Sequence, residues 1–198
     1  MNTNFINLTT ENLPAEHLCC IIRSKKPHPG VEAKRQWLSD RLKEGHVFRK
    51  LNEKAVVFIE YAPLETAWVP ITGYNYYYIY CLWVTGAHKG NGYGRSLMEY
   101  CIADAKAKGK SGICMLGSKK QKAWLSDQAF AKKFGFEVVD TTDSGYDLLA
   151  LSFCLLYTSY LFREKSGSRC DQHHPRDWCS CTHQGLSVSE RCDHTLCQ

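Results

Sequence analysis

The chain has 198 residues, a formal net charge of +5, 44% hydrophobic and 23% charged residues, with 11 cysteines and 8 histidines. That is enough apolar material for one ordinary globular core, which excludes wholesale disorder. No stretch reaches the ~18 consecutive apolar residues of a membrane span, and no cluster of five or more Lys/Arg marks a nucleic-acid surface.

The N-terminal run MNTNFINLTTENLP has neither a basic start nor an apolar signal core, so no secretory leader is expected and the location read from it is cytoplasmic. Phe5 to Thr9 alternates and reads as a strand. Pro14 opens a helix expected over Glu16–Arg23, and Lys25–Gly30, with two prolines and a glycine, reads as a loop. Val31–Glu44 reads as a helix with Val31, Leu38 and Leu42 on one face and Gly45 as its cap. His46–Leu51 and Ala55–Tyr61 read as two strands joined by the turn at residues 52–54. Pro63–Gly73 fits either a strand with an excursion or a loop. Tyr74–Val84 follows, with five of the tyrosines between Tyr74 and Tyr80. Within it Ile79–Val84 is apolar on both faces, as a central strand requires.

A glycine-rich turn spans Gly86–Gly94. Arg95–Lys108 reads as an amphipathic helix carrying Leu97, Cys101 and Ala105 inward, and Ile113–Leu116 as a short buried strand. Gln121–Phe134 reads as a helix capped by Gly135. Phe136–Val139 and Tyr146–Phe153 close the domain as strands. The order β-α-α-β-β-β-α-β-α-β-β is a mixed α/β domain with a central sheet.

The chemistry concentrates at Val84-Thr85-Gly86-Ala87-His88-Lys89-Gly90-Asn91-Gly92-Tyr93-Gly94-Arg95, where a buried strand feeds a glycine loop that opens into a helix. Free N–H groups and the partial positive charge of a helix start suit a phosphate or pyrophosphate, and glycines let the backbone come close. Lys89 and Arg95 flank the loop. The run required of a P-loop is missing, and the dinucleotide pattern fails because Arg95 and Leu97 stand where its third glycine would be.

Lys89-Gly90-Asn91-Gly92-Tyr93-Gly94 resembles the acetyl-coenzyme A loop Gln/Arg-x-x-Gly-x-Gly/Ala of the GNAT family of N-acetyltransferases, with lysine in the first place. Lys132-Lys133-Phe134-Gly135-Phe136 resembles that family's junction between helix and strand. The order of elements over residues 5–153 is similar as well, and the stretch from Trp124 to Asp140 looks like the subgroup that carries a YoaP-like C-terminal domain. The resemblance implies a mixed, mostly antiparallel central sheet flanked by helices. It implies acetyl-CoA as cosubstrate, with its pyrophosphate on the amides of Lys89, Gly90, Asn91, Gly92, Tyr93, Gly94 and Arg95. A backbone N–H at Trp83 or Val84 would polarise the thioester carbonyl. An amine on a small molecule or peptide would attack directly, and a homodimer is common in such proteins. A CoA-binding module without catalysis is the alternative, because the family's usual tyrosine acid corresponds here to Ala131; a zinc-binding nucleic-acid protein is the third reading, against which the tail's zero net charge counts.

For the proton acceptor Glu60 is the first choice, with Glu65 and His88 behind it; for the acid, Tyr146 with Tyr93 behind it. Cys114 would line the cofactor gap. No metal site is expected.

Composition changes sharply after Phe153. Residues 1–153 carry 20 Lys+Arg and 15 Asp+Glu, the whole excess charge, whereas residues 154–198 are neutral yet hold 6 cysteines and 4 histidines. The tail, with no clear fold, reads in three ways: a zinc site, whose Cys-x-Cys spacing at 179–181 is tighter than usual; a disulfide-stabilised segment; or an irregular run not selected as protein. The third is suggested by Cys154–Ser159, which resembles translated adapter DNA. The domain is therefore set at residues 1–153.

Overall fold

A computed structural model of the chain describes residues 4–20, 28–53, 55–119, 125, 128–153 and 186–188. Its elements in chain order are β1 Phe5–Asn7, α1 Pro29–Arg41, β2 Val47–Leu51, β3 Val57–Pro63, β4 Ile71–Thr72, β5 Tyr76–Val84, α2 Tyr93–Ala107, β6 Gly112–Gly117, α3 Gln128–Lys132, β7 Glu137–Thr141, β8 Asp147–Ser152 and β9 Ser187–Val188. Seven strands form one sheet in the order β1-β2-β3-β5-β6-β8-β7. Only β5 and β6 are parallel neighbours; the other five pairings are antiparallel.

Alternation along the strands sends two sets of side chains to opposite faces. Ile59, Ile79, Met115 and Leu149 face α2 and pack on Leu97, Met98 and Cys101. Phe48 and Phe58, stacked at 4.6 Å between centroids, face α1 and Leu38. Tyr76, Tyr78, Cys114 and Leu148 continue that second face toward β8.

The helix expected at Glu16–Arg23 is not formed over its described part. A 3-10 turn covers Leu13–Ala15, and Glu16 is already extended. The carbonyls a helix would use are taken by side chains: the Arg35 guanidinium donates to those of Leu13 and Glu16, and the His17 ring bonds that of Cys19 at 2.7 Å. The next helix starts two residues before the expected Val31. Pro29 fits a first turn, where its missing N–H costs nothing, and His28 Nδ1 accepts the Gly30 N–H at 3.1 Å as N-cap. Leu42–Glu44 tightens to a 3-10 turn, and Gly45 at φ 87° ends it.

The ambiguous stretch 63–73 resolves into a 3-10 turn at Leu64–Thr66 and the two-residue strand β4. β4 pairs antiparallel with β9 from the tail, Ile71 opposite Val188 and Thr72 opposite Ser187. Leu186 is buried beside them, against Leu64 and Gly73. The tail's Cys/His motifs, and residues 121–124 of the helix expected from Gln121, lie outside the described residues.

Candidate active site

Backbone pairing between β5 and β6 runs only from Tyr76/Gly112 to Tyr78/Cys114. Beyond that point β5 stays with β3 up to Val84, whereas β6 stays with β8 up to Gly117. The two strands part, and a wedge opens between residues 79–84 and residues 115–117. A β-bulge marks the start of the wedge. Tyr61 pairs with Ile79 and Glu60 with Cys81, so Tyr80 is the extra residue. The bulge sends two consecutive side chains, Tyr80 and Cys81, to the face away from α2, and returns Leu82 and Val84 to the α2 face.

The same register fixes which backbone donors line the wedge. Thr85 N–H donates to the Val56 carbonyl at 3.2 Å, toward β3. Donors alternate along an antiparallel strand. Trp83 N–H therefore also turns to β3, and those of Leu82 and Val84 turn into the wedge. This corrects the expectation for Trp83: its amide is used in the sheet, and Leu82 takes its place beside Val84.

The glycine loop sits at the mouth of the wedge. Gly86–His88 is a 3-10 turn, then Gly90 (φ 84°) and Gly92 (φ 77°) take left-handed conformations, with Gly92 as N-cap of α2. A Cβ on Gly86, Gly90 or Gly92 would meet nothing within 4 Å, so the space in front of the loop is open. The first helical bond is Ser96 N–H to the Gly92 carbonyl, at 3.0 Å. Among the described residues no hydrogen bond uses the N–H groups of Gly90, Asn91, Gly92, Tyr93, Gly94 or Arg95. Six donors without a hydrogen bond thus lie in sequence at an open helix start, an arrangement suited to an anion.

The side chains around the loop divide into exposed ones and those fixing it. Lys89 is exposed. Arg95 leans along α2 to Glu99 at 3.4 Å and over the Phe134 ring at 5.5 Å. His88 Nδ1 is 3.2 Å from Thr85 Oγ1, and its ring lies 5.9 Å from that of Tyr93, which also meets Phe5 edge-on. His88 and Tyr93 thus brace the loop. Gly94 is close-packed: a Cβ there would sit 3.4 Å from Phe130.

The proposed proton carriers lie on the face away from α2. Glu60 is only 2% exposed, with Lys34 Nζ at 2.6 Å on one oxygen and His46 Nε2 at 3.1 Å on the other. Burial alone would raise its carboxyl; the charge of Lys34 and the His46 hydrogen bond outweigh that and hold it at about 2. Tyr80 stacks on His46 at 5.2 Å. Tyr146 precedes β8 at the level just past Gly117, which pairs with Asp147. Leu148 and Ala150 face away from α2, so alternation places residue 146 on that side too. Glu60, on β3, and Tyr146, before β8, thus share the face away from α2 on the two sides of the β5–β6 pair. Glu65 is occupied elsewhere: it accepts the Asn75 N–H and lies 3.6 Å from Lys110. Cys114 is buried where the strands still pair, and burial pushes its thiol up. Ala131, at the position of the family's tyrosine, is fully buried in the α2-side core. Lys34, His46 and the Leu82 amide escaped the sequence reading. Nothing local marks them, because Lys34 and Glu60 are 26 residues apart.

Residues 10–136 match the model of the Acetyltransferase (GNAT) family. The chain belongs to that family. It is 42% identical over 161 residues to a protein of Bacillus subtilis (strain 168) named uncharacterized N-acetyltransferase YoaP, a match covering 81% of this chain and 64% of that protein. The chain thus spans less than two thirds of that relative's length. The fold is shared with the PaiA N-acetyltransferase of Thermoplasma acidophilum, solved with coenzyme A (TM-score 0.55, 15% identity, 77% of this chain and 100% of that one). It is shared also with an acetyltransferase of Thermus thermophilus (TM-score 0.54, 16% identity, 77% of this chain and 100% of that one).

Proposed function

We propose that the chain is an N-acetyltransferase that moves the acetyl group of acetyl-CoA directly to an amine on a small molecule or peptide. The observation that carries this reading is the wedge between β5 and β6, with an open anion cradle at its mouth and the unpaired amides of Leu82 and Val84 along one wall. The order of the cosubstrate's parts follows that layout. The cradle takes the pyrophosphate, the extended arm runs down the wedge beside β5, and the thioester carbonyl comes to a wedge-facing N–H. That donor stabilises the oxyanion formed when the amine attacks. The amine enters from the face away from α2, where Tyr80, Glu60 and residue 146 lie.

Glu60 enters this scheme as a fixed negative charge that favours the developing ammonium. It does not carry the proton, because Lys34 and His46 hold both its oxygens. The released proton goes to water. Tyr146 supplies a proton to the departing thiolate.

Thermal melting of the full chain with and without acetyl-CoA tests the reading, followed by detection of acetylated product in an amine screen. A ligand at ~100 times its Kd adds about 2.7 kcal/mol of stability, an upward shift of several degrees. A folded chain that neither shifts nor acetylates any amine would end the proposal.

A further inference from the structure

We propose that Cys20 and Cys81 form an oxidation site, at which a hydroperoxide converts the pair to an intrachain disulfide tying the segment before α1 to the bulge of β5. This goes beyond acetyl transfer and does not depend on it. Both residues pack against the Leu38–Phe48–Phe58 cluster on the face away from α2, and each thiol is the foremost group acting on the other. The contact exists because of the bulge. Without the extra residue at Tyr80, Cys81 would point into the α2-side core, out of reach of Cys20.

The surroundings separate the two sulfurs. Cys81 stands opposite Glu60 in register, so their Cβ atoms are about 5 Å apart. Lys34 reaches over from α1 to Glu60 at 2.6 Å. Facing Cys20 are Lys34 from α1, Glu60 from β3 and Cys81 from β5; His46 lies behind Glu60, and Cys19 and His17 belong to the same segment. The Cys81 hydrogen bond, then the Lys34 charge, bring the Cys20 thiol down to about 7 against burial and Glu60. Cys81, the donor, is pushed up. Cys20 is half-buried and open to a small oxidant. Cys101 and Cys114 are buried, and burial pushes both thiols up; neither has a second thiol among the groups that act on it.

The chemistry balances with one hydroperoxide. The Cys20 thiolate attacks a peroxide oxygen, the O–O bond breaks, and the products are a sulfenic acid and water or an alcohol once the leaving oxygen takes a proton. The Cys81 sulfur then attacks the Cys20 sulfur, forming the S–S bond and releasing water with the Cys81 proton. Each sulfur loses one electron, and the peroxide oxygens gain the two.

The test is peptide mapping of the reduced full chain after brief hydrogen peroxide treatment and alkylation. The expected product is a Cys20–Cys81 linked peptide pair, reversed by dithiothreitol. At pH 7 iodoacetamide should label Cys20 about fourfold faster in the native chain than in Cys81→Ala, since a thiol near 7 has more thiolate but a somewhat weaker nucleophile. In Cys81→Ala the sulfenic acid at Cys20 should become trappable by dimedone. Cys20→Ser, checked by circular dichroism to be folded, should leave Cys81 reduced. A folded native chain in which Cys20 and Cys81 stay unlinked, or in which Cys20 links to a different cysteine, overturns the proposal. None of these readouts uses acetylation, so their failure is distinct from failure of the transferase reading.

Discussion

Lys34 Nζ lies 2.6 Å from Glu60 Oε2, joining the helix α1 to the middle of the sheet through one of the most buried carboxylates in the described structure. With both Glu60 oxygens engaged, the pair is a structural charge network beneath the wedge. It sets the local field for everything on that face.

Stability should follow the titration of Glu60. Its folded carboxyl is held near 2 against an ordinary value of 4.5, so the folded state binds the proton more weakly than the unfolded chain. The contribution is therefore full above about pH 4.5 and lost as pH falls through 2. A shift of that size is worth about 3 kcal/mol. Chemical denaturation between pH 7 and 2 should show this loss, and Glu60→Gln should flatten the acid limb while lowering stability at pH 7 by about 3 kcal/mol. An unchanged acid limb in the variant would show that Glu60 is not the titrating group.

The glycine loop should fail for a conformational reason at Gly92 and a steric one at Gly94. Gly92→Ala has open space for its Cβ but must hold φ near 77°, at a cost of about 1–2 kcal/mol. Gly94→Val would press on Phe130. Both variants should lose most of the acetyl-CoA-induced melting shift. Retention of the full shift in a folded Gly92→Ala/Gly94→Val double variant would place the cofactor elsewhere.

Removing the Tyr146 hydroxyl tests its role in the proton return. Tyr146→Phe should lower kcat by roughly 100-fold with little change in KM for acetyl-CoA. A fall in Tm with kcat unchanged would make the residue structural.

The tail segment at Leu186 should report on whether it belongs to the fold. Leu186 is 8% exposed and packs with Leu64, Ile71 and Tyr76. Leu186→Ala should cost about 2 kcal/mol in denaturation of the full chain. No change would mean that the β4–β9 pairing adds nothing to stability.

The sequence by itself determined the features that local patterning controls. Ile79–Val84 is apolar on both faces because it lies at the centre of a sheet, and the glycines at 90 and 92 mark left-handed turns that other residues rarely adopt. The helix after them followed from its 3.6-residue period. The loop's cofactor chemistry was legible for the same reason: its donors are backbone groups of consecutive residues. Helix ends were less so. Whether Glu16–Cys20 could be helical depended on Arg35, which takes the Glu16 carbonyl from 19 residues away. The bulge at Tyr80 left no mark in a run of aromatics, yet it put Tyr80 and Cys81 on one face of the sheet and returned Leu82 and Val84 to the other. His46 met Glu60 through the pairing of β2 with β3, and Lys34 reached it through the packing of α1 on the sheet. Such contacts join residues 14 to 61 positions apart, and no short-range preference encodes them; the tertiary structure fixes them because a buried charge must find its partners.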